Sequence, residues 1–397
     1  MAEGRVSTAK PRVLMVVGTR PEAIKMAPVA RALAGRGDLL ESRLALTGQH
    51  DELVEQVLRA FDLVPDLGLL PDFDLAVMRE GQDLYDLAHA CLDGLREVAR
   101  EFQPDLVLVQ GDTASVFLSS LVAFFEGVGV GHVESGLRSG NKWAPYPEEM
   151  FRRLSDVLAD YHFAPTPRAR DNLLAEGIPG DRIHLTGNTV VDALLAVSNL
   201  HRTPTNPHLR QVLERGSRLV LLTAHRRESF GKPLREVFRA VRELAEREQT
   251  IEILYPVHPN PQVRGPAQEL LSGHPRIHLT EPLDYLDLVS ALEKAALVLT
   301  DSGGIQEEAP TFGAPVLVLR EVTERPEGVE AGVASLVGTD GGKIVEGALA
   351  LLRPRQSAGP SGGRNPFGDG RAGERIADIV ASKLAGVPRV TRDWDGA

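Results

Sequence analysis

Three carboxylates stand where a chain leaves an apolar run or opens the next polar segment. Asp112 follows "DLVLVQG", Glu134 follows "VGHV", and Glu148 lies in "PYPEEMFRR". Carboxyl groups so placed can take a proton from a substrate or return one. Each also has an ordinary reading: Asp112 as a helix cap, Glu148 with Glu149 as a solvated helix start. A second set is built for anions. Arg20 and Lys25 lie in "GTRPEAIK" behind the run "VLMVV", His225 opens "HRRES", and Arg325 lies in "TERPE". A tight turn needs Gly18 and Pro21; it does not need Arg20 and Lys25. In "DSGG", Ser302 offers a hydroxyl, and Gly303 and Gly304 let backbone amides approach a ligand closely as a helix begins. Such a turn fits a phosphate or diphosphate, and the cations supply counter-charge. Glu307 and Glu308, one turn on, are placed either for a ribose diol or simply for a helix N-terminus. Asp112, Glu134 and Glu148 beside a dianion would cost energy through like charge, a cost that makes sense if they carry protons during a reaction.

These residues require elements that hold them. Short β-branched runs alternate with helical patterns: "RVLMVV", "RLALT", "DLVLVQ" and "VGHVE", then "RLVLLT", "IEILYPV", "RIHLT", "ALVLT" and "PVLVL". Helix-like segments run from Glu52 to Phe61, Asp83 to Phe102 and Ser115 to Glu126. This alternation predicts doubly wound parallel sheets, an α/β class with two Rossmann-like domains. The polar stretch "NLHRTPTNPHLR" reads as part of a linker, and "PRQSAGPSGGRNPFGDG" as an irregular loop. The expected domains are 1–187 and 188–371, with a C-terminal helix in 372–397 packing back on the first. In open sheets of this kind ligands bind beyond the carboxyl ends of the strands, where every polar group above falls. Two sheets can share those groups only if their strand ends face one cleft.

The totals exclude several classes. The chain has 397 residues, 43% hydrophobic and 25% charged, with 44 basic and 55 acidic side chains and net charge −11. That balance argues against a nucleic-acid surface. Cys91 is the single cysteine, so no intramolecular disulfide or thiolate zinc site is expected, and it reads as a small buried hydrophobe. No metal site is expected. No apolar run has the length of a membrane span, and "MAEGRVSTAKPR" lacks a signal-peptide core, so the sequence reads as cytosolic. Neither Gly-x-Gly-x-x-Gly nor a P-loop Gly-Lys-Ser/Thr occurs.

Taken together, "GTRPEAIKMAP", "GDT", "HVESGLR", "PEEMFRR", "TGNTVVDAL", "HRRESFG", "YPVHPNP", "DSGGIQEEAP" and "TERPEG" resemble the non-hydrolysing UDP-N-acetylglucosamine 2-epimerases. The resemblance runs from about Val13 to the last helix. It implies the GT-B fold, two Rossmann-like domains facing an interdomain cleft, and interconversion of UDP-GlcNAc and UDP-ManNAc without an added cofactor. It also implies a homodimer and a place in cell-surface polysaccharide biosynthesis. By position, Asp112, Glu134 and Glu148 match the family's catalytic carboxylates, and His225 its essential catalytic histidine near the diphosphate. Arg20, Lys25 and Arg152 match substrate-contacting residues. Ser302, Gly303 and Gly304 match the phosphate turn, Glu308 the ribose carboxylate and Arg325 the arginine of its loop.

The implied chemistry suits these residue types. The C2 proton of a UDP-sugar is not adjacent to a carbonyl, so inversion favours elimination of UDP to 2-acetamidoglucal and re-addition. That needs an acid and a base on opposite faces. Two rivals stand beside it: a hydrolysing 2-epimerase, releasing ManNAc and UDP, and a GT-B glycosyltransferase, which would need an acceptor site and gives no reason for three carboxylates around C2. A UDP-sugar sensor would keep Arg20 and "DSGG" but has no use for the carboxylates. Many family members also bind a second UDP-GlcNAc as activator. Here Gln49, His50 and Gln82 keep part of that allosteric site, while Asp51 and Gly81 stand where arginines occur, which subtracts positive charge.

Overall fold

The computed structural model describes residues 9–48, 71–79, 81–353 and 365–396. By its contacts the chain divides into two compact units, residues 1–193 with 368–397, and residues 194–367.

The first unit is built on a parallel sheet of seven strands. They are β1 (Arg12–Val17), β2 (Glu41–Leu46), β3 (Phe73–Asp74), β4 (Leu106–Gln110), β5 (Gly129–Val133), β6 (Tyr161–Ala164) and β7 (Ile183–Leu185), in the order β3-β2-β1-β4-β5-β6-β7. Its helices are α1 (Arg20–Ala34), α2 (Leu84–Phe102), α3 (Ala114–Phe125), α4 (Glu148–Leu158) and α5 (Pro167–Ala175). α6 (Thr189–Ser198) carries the chain into the second unit. The strands read as continuous apolar runs because both faces of the sheet are covered: all five residues of β4 are buried. Cys91 is fully buried in the core with Leu14, Val16, Leu95 and Phe102, as a small hydrophobe. Asp83 caps α2, accepting from the amides of Tyr85 and Asp86, so the helix starts one residue after the carboxylate.

The C-terminal segment closes this unit. Its helix, Ala372–Ala385, begins where Asp192 accepts from the amides of Ala372 (3.2 Å) and Gly373 (2.8 Å). Gly373 is required there: a Cβ would lie 2.7 Å from the carbonyl oxygen of Pro28 on α1. The tail then runs to the edge of β7. The Trp394 amide donates to the Leu185 carbonyl at 2.8 Å, and the indole is 3% exposed among Ala164, Ala169, Leu173 and Ile183. The tail thus occupies a sheet edge that would otherwise offer unpaired backbone.

The second unit repeats the plan with six parallel strands. These are β8 (Arg218–Thr223), β9 (Ile251–Pro256), β10 (Ile277–Thr280), β11 (Ala295–Thr300), β12 (Val316–Val318) and β13 (Ala334–Leu336), ordered β10-β9-β8-β11-β12-β13. Helices α7 (Pro207–Glu214), α8 (Lys232–Arg247), α9 (Pro261–Leu271), α10 (Tyr285–Lys294), α11 (Gly303–Glu308), α12 (Pro326–Glu330) and α13 (Gly341–Leu352) complete it. The stretch expected to be linker is partly built into this unit. Asp287 on α10 accepts from the amides of Thr205 (2.8 Å) and Asn206 (2.7 Å), and Asn206 then caps α7. The helix expected at Glu52–Phe61 lies outside the described residues, as does 354–364 of the irregular loop. No described helix is long and apolar enough to cross a membrane.

Candidate active site

In the first sheet the strand order reverses between β1 and β4, the place where an open α/β sheet leaves a crevice beyond its carboxyl ends. The loops after β1, β4 and β5 gather there. Gly18 leaves β1 with no room for a side chain, since a Cβ would lie 2.3 Å from Ser115 Oγ. Thr19 caps α1, and Glu22 reaches back to the amides of Gly18 (2.5 Å) and Thr19 (3.1 Å). The Thr113 hydroxyl donates to the other oxygen of Glu22 at 2.6 Å, tying the β1 loop to the β4 loop. Burial pushes the Glu22 carboxyl up to about 7, against those three hydrogen bonds, which favour the anion.

Asp112 does not cap the helix that follows it. Thr113 occupies the N-cap, accepting from the Val116 amide at 3.4 Å, so the ordinary reading of Asp112 is removed. Its carboxylate meets Arg152 instead: Nη2 donates to Oδ2 at 2.5 Å. The same nitrogen lies 3.7 Å from Glu134 Oε1, and Nη1 donates to the Glu134 carbonyl at 2.7 Å. The Lys25 ammonium is hydrogen-bonded to Glu134 Oε2. Asp112 and Glu134 therefore share one guanidinium, and Lys25 supplies a second cation. This answers the like-charge problem posed by the sequence. Burial alone would lower the Arg152 pKa, but the charges of Asp112, Glu134 and Asp156 hold it above its usual value.

Glu134 is a non-glycine residue with φ of +66°, a conformation that costs roughly 1–2 kcal/mol for an L-residue. Backbone strain of this kind collects at functional sites. Glu148 begins α4 one turn before Arg152, on the same face, and its Oε2 is buried with no hydrogen-bond partner among the described residues. Its neighbour Glu149 has a structural task, accepting from the amides of Ser139 (2.8 Å) and Gly140 (3.3 Å). Arg20, at the start of α1, forms no hydrogen bond or ion pair with another described residue.

The sequence reading sets Lys25 and Arg152 against substrate; in the structure Lys25 pairs with Glu134, and Arg152 with Asp112 and Glu134. Arg152 is 6% exposed. Sequence reasoning missed Glu22, His132 and Asp156. The first two sit inside quoted motifs, and Asp156 lies one turn after Arg152, a spacing that could have marked it.

The second sheet has its reversal between β8 and β11. Asp301, 1% exposed after β11, accepts from the amides of His225 (2.7 Å) and Arg226 (2.8 Å), fixing the loop after β8. The His225 ring stacks on His258, with centroids 5.4 Å apart. Burial lowers the His225 pKa, Asp301 opposes, and His258 and Arg226 push it further down.

At the turn Ser302-Gly303-Gly304, the Ser302 side chain makes no capping bond. A Cβ built on Gly303 would lie 3.6 Å from Arg226 Nη2 and 3.9 Å from Arg325 Cζ, so two guanidiniums flank the glycine. The loop carrying Arg325 is tied to α11: Thr323 Oγ1 donates to Gln306 Oε1 at 2.6 Å and accepts from the Arg325 amide at 3.0 Å. The Arg325 guanidinium is hydrogen-bonded to buried Glu307, which settles Glu307 as its orienting partner. Burial would raise the pKa of Glu324, but hydrogen bonds from Arg320 hold it low. These two carboxylates are thus paired beside the turn. Glu308 Oε1 lies 3.5 Å from a Cβ position on Gly304. The arrangement can take a phosphate on amides and guanidiniums together.

Of the residues read as an allosteric set, Gln49 and His50 lie outside the described residues. Gln82 closes a local turn, accepting from the Arg79 amide and donating to the Val77 carbonyl, each at 3.0 Å.

Comparison with known proteins finds relatives over nearly the whole chain. The family model described as UDP-N-acetylglucosamine 2-epimerase matches residues 31–381. A UDP-N-acetylglucosamine 2-epimerase of Yersinia pestis is 46% identical over 373 residues, 92% of this chain and 97% of that one. Its counterpart in Escherichia coli K12 is 46% identical over 377 residues, 93% of this chain and 98% of that one. Among solved structures, the UDP-GlcNAc 2-epimerase of Neisseria meningitidis bound to UDP-GlcNAc has a TM-score of 0.81 and 41% identity, covering 93% of this chain and 99% of that one. The architecture is accordingly the GT-B-like pair of Rossmann-type units. With a family model spanning most of the chain and full-length relatives at this identity, the chain belongs to the UDP-N-acetylglucosamine 2-epimerase family.

Proposed function

We propose that this chain interconverts UDP-GlcNAc and UDP-ManNAc by elimination and re-addition of UDP, without releasing free sugar. The observation that carries the reading is the set of three carboxylates of the first unit. Asp112 and Glu134 are gathered on Arg152 and Lys25, and Glu148 is on the helix face of Arg152 with a buried oxygen that has no hydrogen-bond partner among the described residues. A protein that only bound a nucleotide diphosphate would gain nothing from these groups.

In the forward step one carboxylate takes the C2 proton. The C2–H electron pair becomes the C1–C2 double bond, and the C1–O bond breaks toward UDP, giving 2-acetamidoglucal. In the return, a protonated carboxyl group gives its proton to the opposite face of C2 and a diphosphate oxygen of UDP bonds to C1. Asp112, Glu134 and Glu148 share the proton transfers. His225, Arg226, Ser302, Gly303, Gly304 and Arg325 hold the diphosphate, with charge stabilisation growing as the leaving group departs. Glu308 takes the ribose, and Arg20, which has no hydrogen-bond or ion-pair partner among the described residues, meets the substrate.

Incubation of purified protein with UDP-GlcNAc alone, followed by product NMR, tests this reading. UDP-ManNAc as the product supports it; free ManNAc with UDP supports the hydrolysing reaction instead. Asp112→Asn or Glu134→Gln should lower turnover by roughly 10²–10⁴-fold, the scale of one acid–base group. UDP binding should be retained in both.

A further inference from the structure

Behind the three carboxylates lies a fully buried polar cluster that the mechanism does not use. His132, near the end of β5, is 0% exposed and Asp156, on α4, is 1% exposed. His132 Nδ1 lies 2.6 Å from Asp156 Oδ1, and Nε2 lies 2.7 Å from the Gly111 carbonyl oxygen. A carboxylate and a carbonyl both accept, so each ring nitrogen must carry a hydrogen. Asp156 has further donors. Ser135 Oγ donates to Oδ1 at 2.5 Å, the Gly136 amide to Oδ2 at 3.3 Å, and Arg138 Nη2 lies 2.7 Å from Oδ2. His162 Nδ1 is 3.0 Å from Ser135 Oγ. Since the Ser135 hydrogen goes to Asp156, His162 is the donor there.

These bonds land on the residues adjoining Asp112 and Glu134. Gly111 directly precedes Asp112, and Ser135 and Gly136 directly follow Glu134. Both stretches need holding: φ is +92° at Gly111, +66° at Glu134 and +88° at Gly136. The packing allows little adjustment, because a Cβ on Gly136 would lie 2.2 Å from the Ala169 carbonyl oxygen. Asp156 also lies one turn beyond Arg152, so a single helix face grips both carboxylates and both of their loops.

We propose that His132 and Asp156 form a positioning pair that sets the relative placement of Asp112 and Glu134. This rests on the epimerase reading given above. Neither residue touches substrate; each acts through the backbone it holds.

The test uses the full-length chain with His132→Phe, His132→Gln and Asp156→Asn. A shift of about 1 Å in a reacting group can cost on the order of 10²-fold in rate. His132→Phe should therefore lose about that factor in kcat, with KM for UDP-GlcNAc and Kd for UDP within about threefold of wild type. Asp156→Asn should lose about tenfold. His132→Gln, whose side-chain amide can still reach the Gly111 carbonyl, should restore most of the rate. A merely structural role would lower thermal stability while leaving kcat per folded molecule unchanged, and that result overturns the proposal. Nitrogen-15 NMR of the wild-type protein gives a readout that does not depend on a variant folding. Hydrogens on both His132 ring nitrogens support the network, and a bare ring nitrogen overturns it. If wild-type protein does not turn over UDP-GlcNAc, the functional reading has failed, and the nitrogen spectrum still decides whether the pair is built as described.

Discussion

Replacing Arg152 with methionine removes a charge while keeping an unbranched side chain of similar length. In the native protein Arg152 donates to Asp112 and to the Glu134 carbonyl, and it lies 3.7 Å from the Glu134 carboxylate. Its side chain is 8% exposed, that of Glu134 6% and that of Asp112 30%. Removing one partner of a buried ion pair costs about 3–5 kcal/mol. The exposure of Asp112 screens part of the interaction, so the low end, about 3 kcal/mol, is the appropriate figure. For a unit of this size that lowers Tm by about 6–12 °C. Turnover should fall by about 10²-fold, because Asp112 and Glu134 lose the group that fixes their separation. Affinity for UDP, measured by calorimetry, should stay at the wild-type value, since the groups proposed above to hold the diphosphate lie in the second unit. A variant with wild-type Tm and turnover would refute the argument. Loss of UDP affinity in a stably folded variant would place Arg152 on the diphosphate and contradict the role assigned here.

Two further outcomes follow from other groups. Burial pushes the Asp192 carboxyl from 3.8 up to about 7, against hydrogen bonds from Gly373 and Ala372. A raised folded-state pKa contributes stability that is full below the unfolded value and is lost as pH rises through about 7. Relative to Asp192→Asn, wild type should lose up to roughly 4 kcal/mol between pH 4 and 7, and parallel denaturation profiles across that window would exclude this. Arg325→Ala removes a guanidinium beside Gly303 and leaves buried Glu307 without it, so UDP binding should weaken by on the order of 1.5–3 kcal/mol, about 10- to 150-fold in Kd. An unchanged Kd would remove Arg325 from the diphosphate site.

The strands that deliver the site are long apolar runs, and for that reason "VLMVV", "DLVLVQ" and "ALVLT" could be read directly, as could the polar residues that follow them. Strands β3, β6, β7 and β13 have only two to four residues, too short to stand out from neighbouring helical patterns. Strand order was illegible as well, since pairing depends on contacts between distant segments. The same limit explains the residues that were missed and the pairings that could not be foreseen. Lys25 stood out as a cation the turn does not need, but Glu134, with which it pairs, is 109 positions away. Glu22 lies within the stretch that first drew attention, yet its significance comes from Thr113, which is 91 residues distant. Asp156 reads as one more carboxylate on an amphipathic helix until β5 is placed against it. The features of "DSGG" are local and could be read together: the hydroxyl and the glycines are adjacent, while the flanking Arg226 and Arg325 come from distant segments.

The elimination route is tested most directly by running the reaction in D2O and examining C2 of the product by NMR. The proton removed from UDP-GlcNAc goes to a carboxyl group, and a second group returns a proton that has exchanged with solvent. UDP-ManNAc should therefore carry deuterium at C2, with the C1–O–phosphate linkage re-formed. UDP-ManNAc with C2 fully protonated would contradict elimination and re-addition, and free ManNAc accompanied by UDP would contradict the non-hydrolysing reaction itself.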